Sequence, residues 1–267
     1  MKVITVINDQ YHRGFNLLRL SCSANNLDLL VLVYGQKNFF SNRIKDNLLL
    51  NYLDRHTKDD EIIFFSDGND AILLCPESEI LSKYYGFGKE VVFSAERVCW
   101  PDTTLAKQFP VSTSAYRYLN CGGFVGTAGV IKQLLREELP STGKFEHSNQ
   151  YLWARRFLKH VDLIALDTAC EIFHTFSPEV GKRFQPIDLP HNVAPFYSCM
   201  KKWFTENFAI DKGRLFSKIT GTWPCHAHFN GDAKVIMDID IINMVFSQIG
   251  DGRKARFIEG VTNAPIA

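Results

Sequence analysis

Short apolar runs alternate with amphipathic stretches along the first hundred residues. Val3–Ile7 is a β-branched run, and "GFNLLRLSCSANN" then repeats apolar residues at helical spacing. "LDLLVLVYG" predicts a second buried strand closed by Gly35. Ser41 is placed to cap a helix through "NRIKDNLLLNYLDRH", with Ile44, Leu48 and Tyr52 on one face. "EIIFFS" is a third strand, Pro76 opens a helix "PESEILSKYY" that Gly86 ends, and "EVVFSAE" is another strand. Strands this continuously apolar, alternating with helices, predict a mostly parallel sheet covered on both faces.

The second half is less regular. In "YLNCGGFVGTAGVIKQLLREEL", Gly122-Gly123 is expected to break the chain before a short strand and a helix. "HSNQYLWARRFLKH" reads as a helix, "DLIALDT" and "EIFHTF" as short strands, and "HAHFNGD" as a turn before the helix-like "KVIMDIDIINMVFSQIG". No repeat, low-complexity tract or linker interrupts the chain, so one α/β domain over residues 1–267 is expected.

Charge removes several function classes. Lys+Arg 30 against Asp+Glu 29 leaves a net charge of +1, which gives no global field to recruit nucleic acid. The basic stretches "MKKWF" and "RKAR" read as solvated faces. No apolar stretch approaches the roughly 20 residues of a membrane span. "MKVITVIND" reads as a strand and not as a signal peptide, so the chain as given reads as cytoplasmic. Seven cysteines without CxxC spacing argue against a disulfide framework and a zinc ribbon, and predict small buried hydrophobes.

The third strand ends abruptly in Asp67-Gly68-Asn69-Asp70 before apolar residues resume. Unpaired charge is costly beside a buried strand, so something neutralises these acids. Ligands of open α/β sheets gather beyond the carboxyl ends of strands, where Asp67 and Asp70 would stand. They suit a hard divalent cation carrying a diphosphate, or else they cap the following turn; the stretch alone fits both. In "PCHAHFNGDAK", His226 and His228 share a face if extended, and a single imidazole joining two carboxylates suits Mn²⁺ better than zinc. Asn230-Gly231 makes a sharp turn, and Lys234 is placed to meet a phosphate. Nucleotidyl transfer would predict a glycine-rich loop after the first strand, but "INDQYHRGFNLL" offers only Gly14.

Five blocks, "FFSDGNDAILL", "VVFSAERVCWPD", "YRYLNCGGFVGTAG", "DTACEIFHTF" and "HFNGDAK", occur in an order and spacing that resemble the N-terminal glycosyltransferase domain of the multifunctional procollagen lysyl hydroxylases. More distantly they are similar to the procollagen galactosyltransferases. The resemblance runs from "VITVIN" to about Lys234. It implies a GT-A-like, Rossmann-type fold, a UDP-sugar donor, and Mn²⁺ with Mg²⁺ as the alternative. It also implies retaining transfer of a hexose, glucose favoured over galactose, to collagen-like hydroxylysine or its galactosylated form. The expected partners are the UDP-sugar and a collagen-like polypeptide, with a homodimer left open, and the implied compartment is the endoplasmic reticulum.

Position by position, the resemblance makes Asp67, Asp70 and His228 the metal ligands. Val6, Ile7, Asn8, Gly68 and Asn69 would hold the nucleotide, and Gly231 with Lys234 the diphosphate. Asn120, beside Gly122-Gly123, would line the sugar and acceptor pocket with Trp100 and Glu96, and Asn149 and Gln150 match the stretch that relatives need for transfer, so that Asp67, Asp70, Asn120, Asn149, Gln150 and Trp100 are the expected catalytic residues. For Trp100 the competing reading is packing, and for Glu96 a strand-end cap. Three positions depart from the family pattern. Asn69 stands where relatives carry an aromatic residue, Phe229 replaces a glycine, and "KFEHSNQYLW" keeps Gln150 but replaces an aspartate run with Glu146, His147, Ser148 and Asn149. The departures leave room for a non-catalytic nucleotide-sugar-binding domain.

Overall fold

The computed structural model describes residues 1–35, 41–140, 142–176, 193–211 and 213–239. "RKAR" and the later part of "KVIMDIDIINMVFSQIG" lie outside these residues.

β1 (Lys2–Ile7), α1 (Arg13–Ala24), β2 (Leu29–Val33), α2 (Arg43–His56) and β3 (Ile62–Ser66) follow the predicted alternation. After the acidic loop come β4 (Ala71–Leu73), α3 (Glu77–Gly86) and β5 (Val91–Glu96). Then follow β6 (Tyr118–Thr127), α4 (Ala128–Arg136), α5 (Asn149–Lys159), β7 (Ile164–Asp167) and β8 (Phe173–Thr175). The remainder is α6 (Val193–Asn207), β9 (Phe208–Asp211), β10 (Arg214–Ser217), β11 (His226–His228) and α7 (Lys234–Ile239).

The main sheet has six strands in the order β2-β1-β3-β6-β5-β7. Every neighbouring pair is parallel except those made by β6, which runs antiparallel between β3 and β5. The expected mixed α/β architecture with a mostly parallel central sheet is therefore present. β2 is an edge strand and only half-buried, with Val33 57% exposed, which corrects the expectation of a fully buried strand.

Side-chain alternation splits each central strand between two cores. Ile4, Ile63, Phe65, Phe93 and Phe124 pack with Leu49, Leu53, Ile131, Trp153 and Phe157 from α2, α4 and α5. Val3, Phe64, Val92 and Val125 face the other way, onto Leu18 and Cys22 of α1, Ile80 and Tyr84 of α3, and Leu73 and Phe173. That second face is covered partly by a small sheet in the order β4-β11-β8. Behind it, Phe176, Phe196, Met200, Phe204, Phe208 and Phe229 form a third apolar layer with α6 and the β9–β10 hairpin.

Two local expectations are corrected. Gly122-Gly123 does not break the chain, because β6 runs through both glycines with a shift of register against β5. "HAHFNGD" is a strand first and a turn second: His226, Ala227 and His228 pair with Leu73, Ile72 and Ala71 before Gly231 turns the chain at φ 56°.

Candidate functional site

The loop Asp67–Asp70 bridges the two sheets, since β3 belongs to the large sheet and β4 to the small one. Backbone bonds pin both its ends. The Asp67 N–H donates to Gly122 O on β6 at 2.8 Å, and the Phe229 N–H beyond β11 donates to Asp70 O at 2.7 Å. Between them the loop lies so close to α1 that a Cβ on Gly14 would stand 1.7 Å from Asn69 O. Gly14 is thus a packing glycine and not part of a phosphate loop.

His228 meets this loop from far along the chain. Its Nε2 lies 3.5 Å from Asp70 Oδ1 and 3.7 Å from Asp67 Oδ2. One ligand atom from each of the three residues lies within 4.8 Å of the others. The histidine is buried, 3% exposed, and its Nε2 has no hydrogen-bond partner. Its Nδ1 is 3.1 Å from Asn120 Oδ1, an oxygen that already accepts the Gly122 N–H at 2.9 Å. That oxygen is an acceptor, so Nδ1 carries a proton, and Nε2 is the ring atom that faces the two carboxylates. Burial alone would lower the His228 pKa, but Asp70 and Asp67 outweigh it and raise the value. A lone pair between two anions calls for a proton or a cation.

The acids already have lysine partners. Lys45 Nζ lies 2.5 Å from Asp67 Oδ1, and Lys234 Nζ lies 3.2 Å from Asp70 Oδ2. Burial works against charge at Asp70, yet His228 and Lys234 hold its carboxyl well below the usual range. Lys45 is the site residue that the sequence reading missed. It lies four residues before the buried Leu49 and eight before Leu53, so the inward face of α2 is rotated from the expected Ile44, Leu48 and Tyr52, which are only half-buried. A lysine in step with two buried leucines was the available signal.

The adjacent histidine belongs elsewhere. His226 Nε2 pairs with Ser66 Oγ at 3.0 Å, its ring packs on Phe64 and Phe173, and burial drives its pKa well down. The paired glycines make room for both rings. A Cβ at Gly122 would lie 2.2 Å from His228 Cε1, and one at Gly123 would lie 2.8 Å from Phe173 and 3.0 Å from His226. The close approach expected of a ligand is thus made by the protein's own imidazoles.

Around this centre the other expected residues divide. Glu96 is buried at the end of β5, where burial pushes its pKa up to about 7 against hydrogen bonds from Asn120, Asn230 and Gln150. Asn120 thereby links Glu96 to His228. Gln150 donates to Glu96 Oε1 at 2.7 Å and to Leu119 O, and accepts the Cys121 N–H at 2.7 Å, so it clamps β6. Asn149 is buried and donates to Asp46 on α2 at 3.5 Å. Trp100 is 64% exposed, so packing does not account for it. Val6 is a core residue, Ile7 is buried with its carbonyl accepting the Tyr34 N–H, and Asn8 is exposed. Gly231 is exposed at the turn. Asn69 Oδ1 is buried without a partner.

Over 238 residues the chain is 29% identical to the uncharacterized protein R699 of Acanthamoeba polyphaga mimivirus, covering 85% of this chain and 46% of that one. It is 43% identical over 86 residues to human multifunctional procollagen lysine hydroxylase and glycosyltransferase LH3, covering 32% of this chain and 11% of that one. The chain thus spans less than half the length of these relatives. Among solved structures, mouse xyloside xylosyltransferase 1 in its apo form aligns with a TM-score of 0.48 and 11% identity, over 87% of this chain and 98% of that one. A glycosyltransferase involved in the glycosylation of the major capsid of PBCV-1 aligns at 0.46 and 9%, over 88% and 98%. Likenesses this slight carry no weight, and the fold rests on the strand order itself. Residues 1–184 match the family described as the PLOD GT domain, more than half of the chain. On that match the chain belongs to the PLOD GT domain family, a family of glycosyltransferase domains.

Proposed function

We propose that the chain, as a single domain over residues 1–267, is a Mn²⁺-dependent retaining glycosyltransferase. It moves a hexose, glucose favoured, from a UDP-sugar to hydroxylysine-linked collagen-like acceptors. The observation that carries the reading is the partnerless His228 Nε2 facing Asp67 and Asp70. The donor set fits a hard divalent ion: two carboxylates and one imidazole, with one ligand atom from each within 4.8 Å of the others.

Asp67, Asp70 and His228 would hold the ion, with Mg²⁺ as the alternative. When bound, it supplies Lewis-acid stabilisation of the charge that grows on the departing UDP. Asn120 keeps the proton of His228 on Nδ1 and so keeps Nε2 aimed at the acids. Lys45 and Lys234, released from the acids they now hold, would turn their charges towards the diphosphate. Asn8, Gly68, Asn69 and Gly231 would lie along the nucleotide. Trp100 and Glu96 would border the sugar and acceptor pocket. The acceptor hydroxyl attacks from the side of the leaving group, and a diphosphate oxygen takes its proton.

One observation favours a second reading, a domain that binds the nucleotide sugar without transferring it. The residues that replace the aspartate run serve local structure: Glu146 accepts from Thr142 N, Ser148 caps α5, and Asn149 donates to Asp46. Calorimetric titration with Mn²⁺ and UDP, followed by assay of UDP release from UDP-glucose and UDP-galactose with a galactosyl-hydroxylysine peptide, separates the two. Turnover that needs Asp67 and Asp70 supports the enzyme. Binding without turnover supports the second reading, and no uptake of Mn²⁺ or UDP overturns both.

A further inference from the structure

Cys75 follows β4 and Cys225 precedes β11. The Leu74 N–H donates to Cys225 O at 2.7 Å, and His226 pairs with Leu73, so the two cysteines stand one residue out of step on adjacent antiparallel strands. In a regular sheet residues one step out of register point to opposite faces, but both cysteines lie just outside the paired strands, where the chain can turn their side chains together. The two sulfurs and a Glu79 carboxylate oxygen lie within 4.8 Å of one another. Both side chains are fully buried, and the Cys225 thiol donates to Glu79 Oε1 at 3.8 Å.

A metal ion is the rival occupant of this cluster. Glu79, however, is gripped by Arg214 through two bonds of 2.8 Å and by Lys83 at 2.9 Å. A metal here would have to draw a single carboxylate away from both a bidentate arginine and a lysine, with no second acid beside it among the described residues of the cluster. Joining the sulfurs adds no charge and needs no third ligand.

We propose that Cys75 and Cys225 form a disulfide that ties β4 to β11. One cysteine thiolate attacks a low-molecular-weight disulfide of the glutathione type and releases one reduced thiol. The second cysteine thiolate then attacks the mixed disulfide and releases the other, and the two cysteine protons end on the two released thiols. Because both sulfurs are sealed from solvent, this exchange accompanies folding, before the strands close. The bond holds in register the strand that begins after Asp70 and the strand that ends at His228. It stands independently of the function proposed above.

The test refolds the reduced, denatured full chain either with oxidised and reduced glutathione or with excess phosphine reductant. Each sample is then denatured, alkylated with N-ethylmaleimide and mapped by mass spectrometry. The oxidised sample is expected to contain a Cys75–Cys225 linked peptide, with Cys22, Cys99, Cys121, Cys170 and Cys199 alkylated. Its thermal midpoint should exceed that of the reduced sample by about 5 °C or more, a gap that closes in the Cys75→Ala, Cys225→Ala double variant. Seven alkylated cysteines after oxidative refolding would overturn the proposal. So would a link between other cysteines, or stoichiometric zinc that protects Cys75 and Cys225 until a chelator is added.

Discussion

Replacing Gly122 by alanine tests the site through a residue that offers no ligand atom. The new Cβ would stand 2.2 Å from His228 Cε1, 2.6 Å from its Nδ1 and 3.0 Å from Asn120 Oδ1. Carbon atoms in contact sit about 3.5 Å apart, so the ring must retreat by about 1.3 Å. Metal–ligand bonds tolerate about 0.2 Å, and a misdirected histidine costs about 10–100-fold in affinity. The retreat is several times that tolerance, so Gly122→Ala is expected to weaken Mn²⁺ binding about 100-fold, or about 2.7 kcal/mol. Overpacking should also cost about 1–3 kcal/mol of folding stability. Gly123→Ala supplies the control, because its Cβ would press on Phe173 and His226, neither of which faces the acids. It should lose comparable stability while keeping Mn²⁺ affinity within about 3-fold. Calorimetric titration with Mn²⁺ and urea denaturation read the two quantities separately. Wild-type Mn²⁺ affinity in Gly122→Ala, or an equal loss in Gly123→Ala, would refute the placement of the ion.

Three further outcomes follow from buried polar groups. Glu96, with its pKa pushed from 4.5 up to about 7, holds a proton more tightly folded than unfolded; stability should therefore fall as pH rises from about 4.5 to 7, by at most about 3 kcal/mol. Glu96→Gln should lack that slope when urea denaturation is compared at pH 5 and pH 8. Asp167 accepts three backbone bonds, from Glu171, Ile172 and Phe173 at 2.9, 2.7 and 2.8 Å, and these feed directly into β8. Asp167→Ala strands buried donors and should cost about 2–4 kcal/mol by chemical denaturation. Lys45→Met removes the partner of Asp67 and should lower the melting temperature, and added Mn²⁺ should then raise it by more than it does in the wild type.

The N-terminal half was legible because its strands and helices carry their own periodicity. β1, β3, β5 and the helices between them arise where apolar spacing changes from continuous to helical. β6 was misread because glycines usually weaken strands, and the rings that require Gly122 and Gly123 come from a segment remote in sequence. β4 is three residues hidden behind the acids, and α6 with the β9–β10 hairpin forms a third layer that no local pattern announced. The convergence of the two acids with His228 was expected only through the family blocks. Composition left them undecided, because a lone histidine and an acidic turn each have a bland explanation. Lys45 escaped because the inward face of α2 was set on Ile44, Leu48 and Tyr52, whereas the Cys75–Cys225 pair escaped because its partners are brought near by strand order, which spacing along the chain does not encode.

The three converging side chains sit on opposite sides of a seam, two on the connection leaving the large sheet and one on the innermost strand of the small one. Neither sheet alone can offer the trio, and a disordered chain holds its members far apart. An ion that recognises only the assembled trio must then favour the docked arrangement of the sheets, by about 2.7 kcal/mol at a hundred times its dissociation constant. Manganese would in that case act as a late-stage clamp on tertiary structure as well as a participant in chemistry.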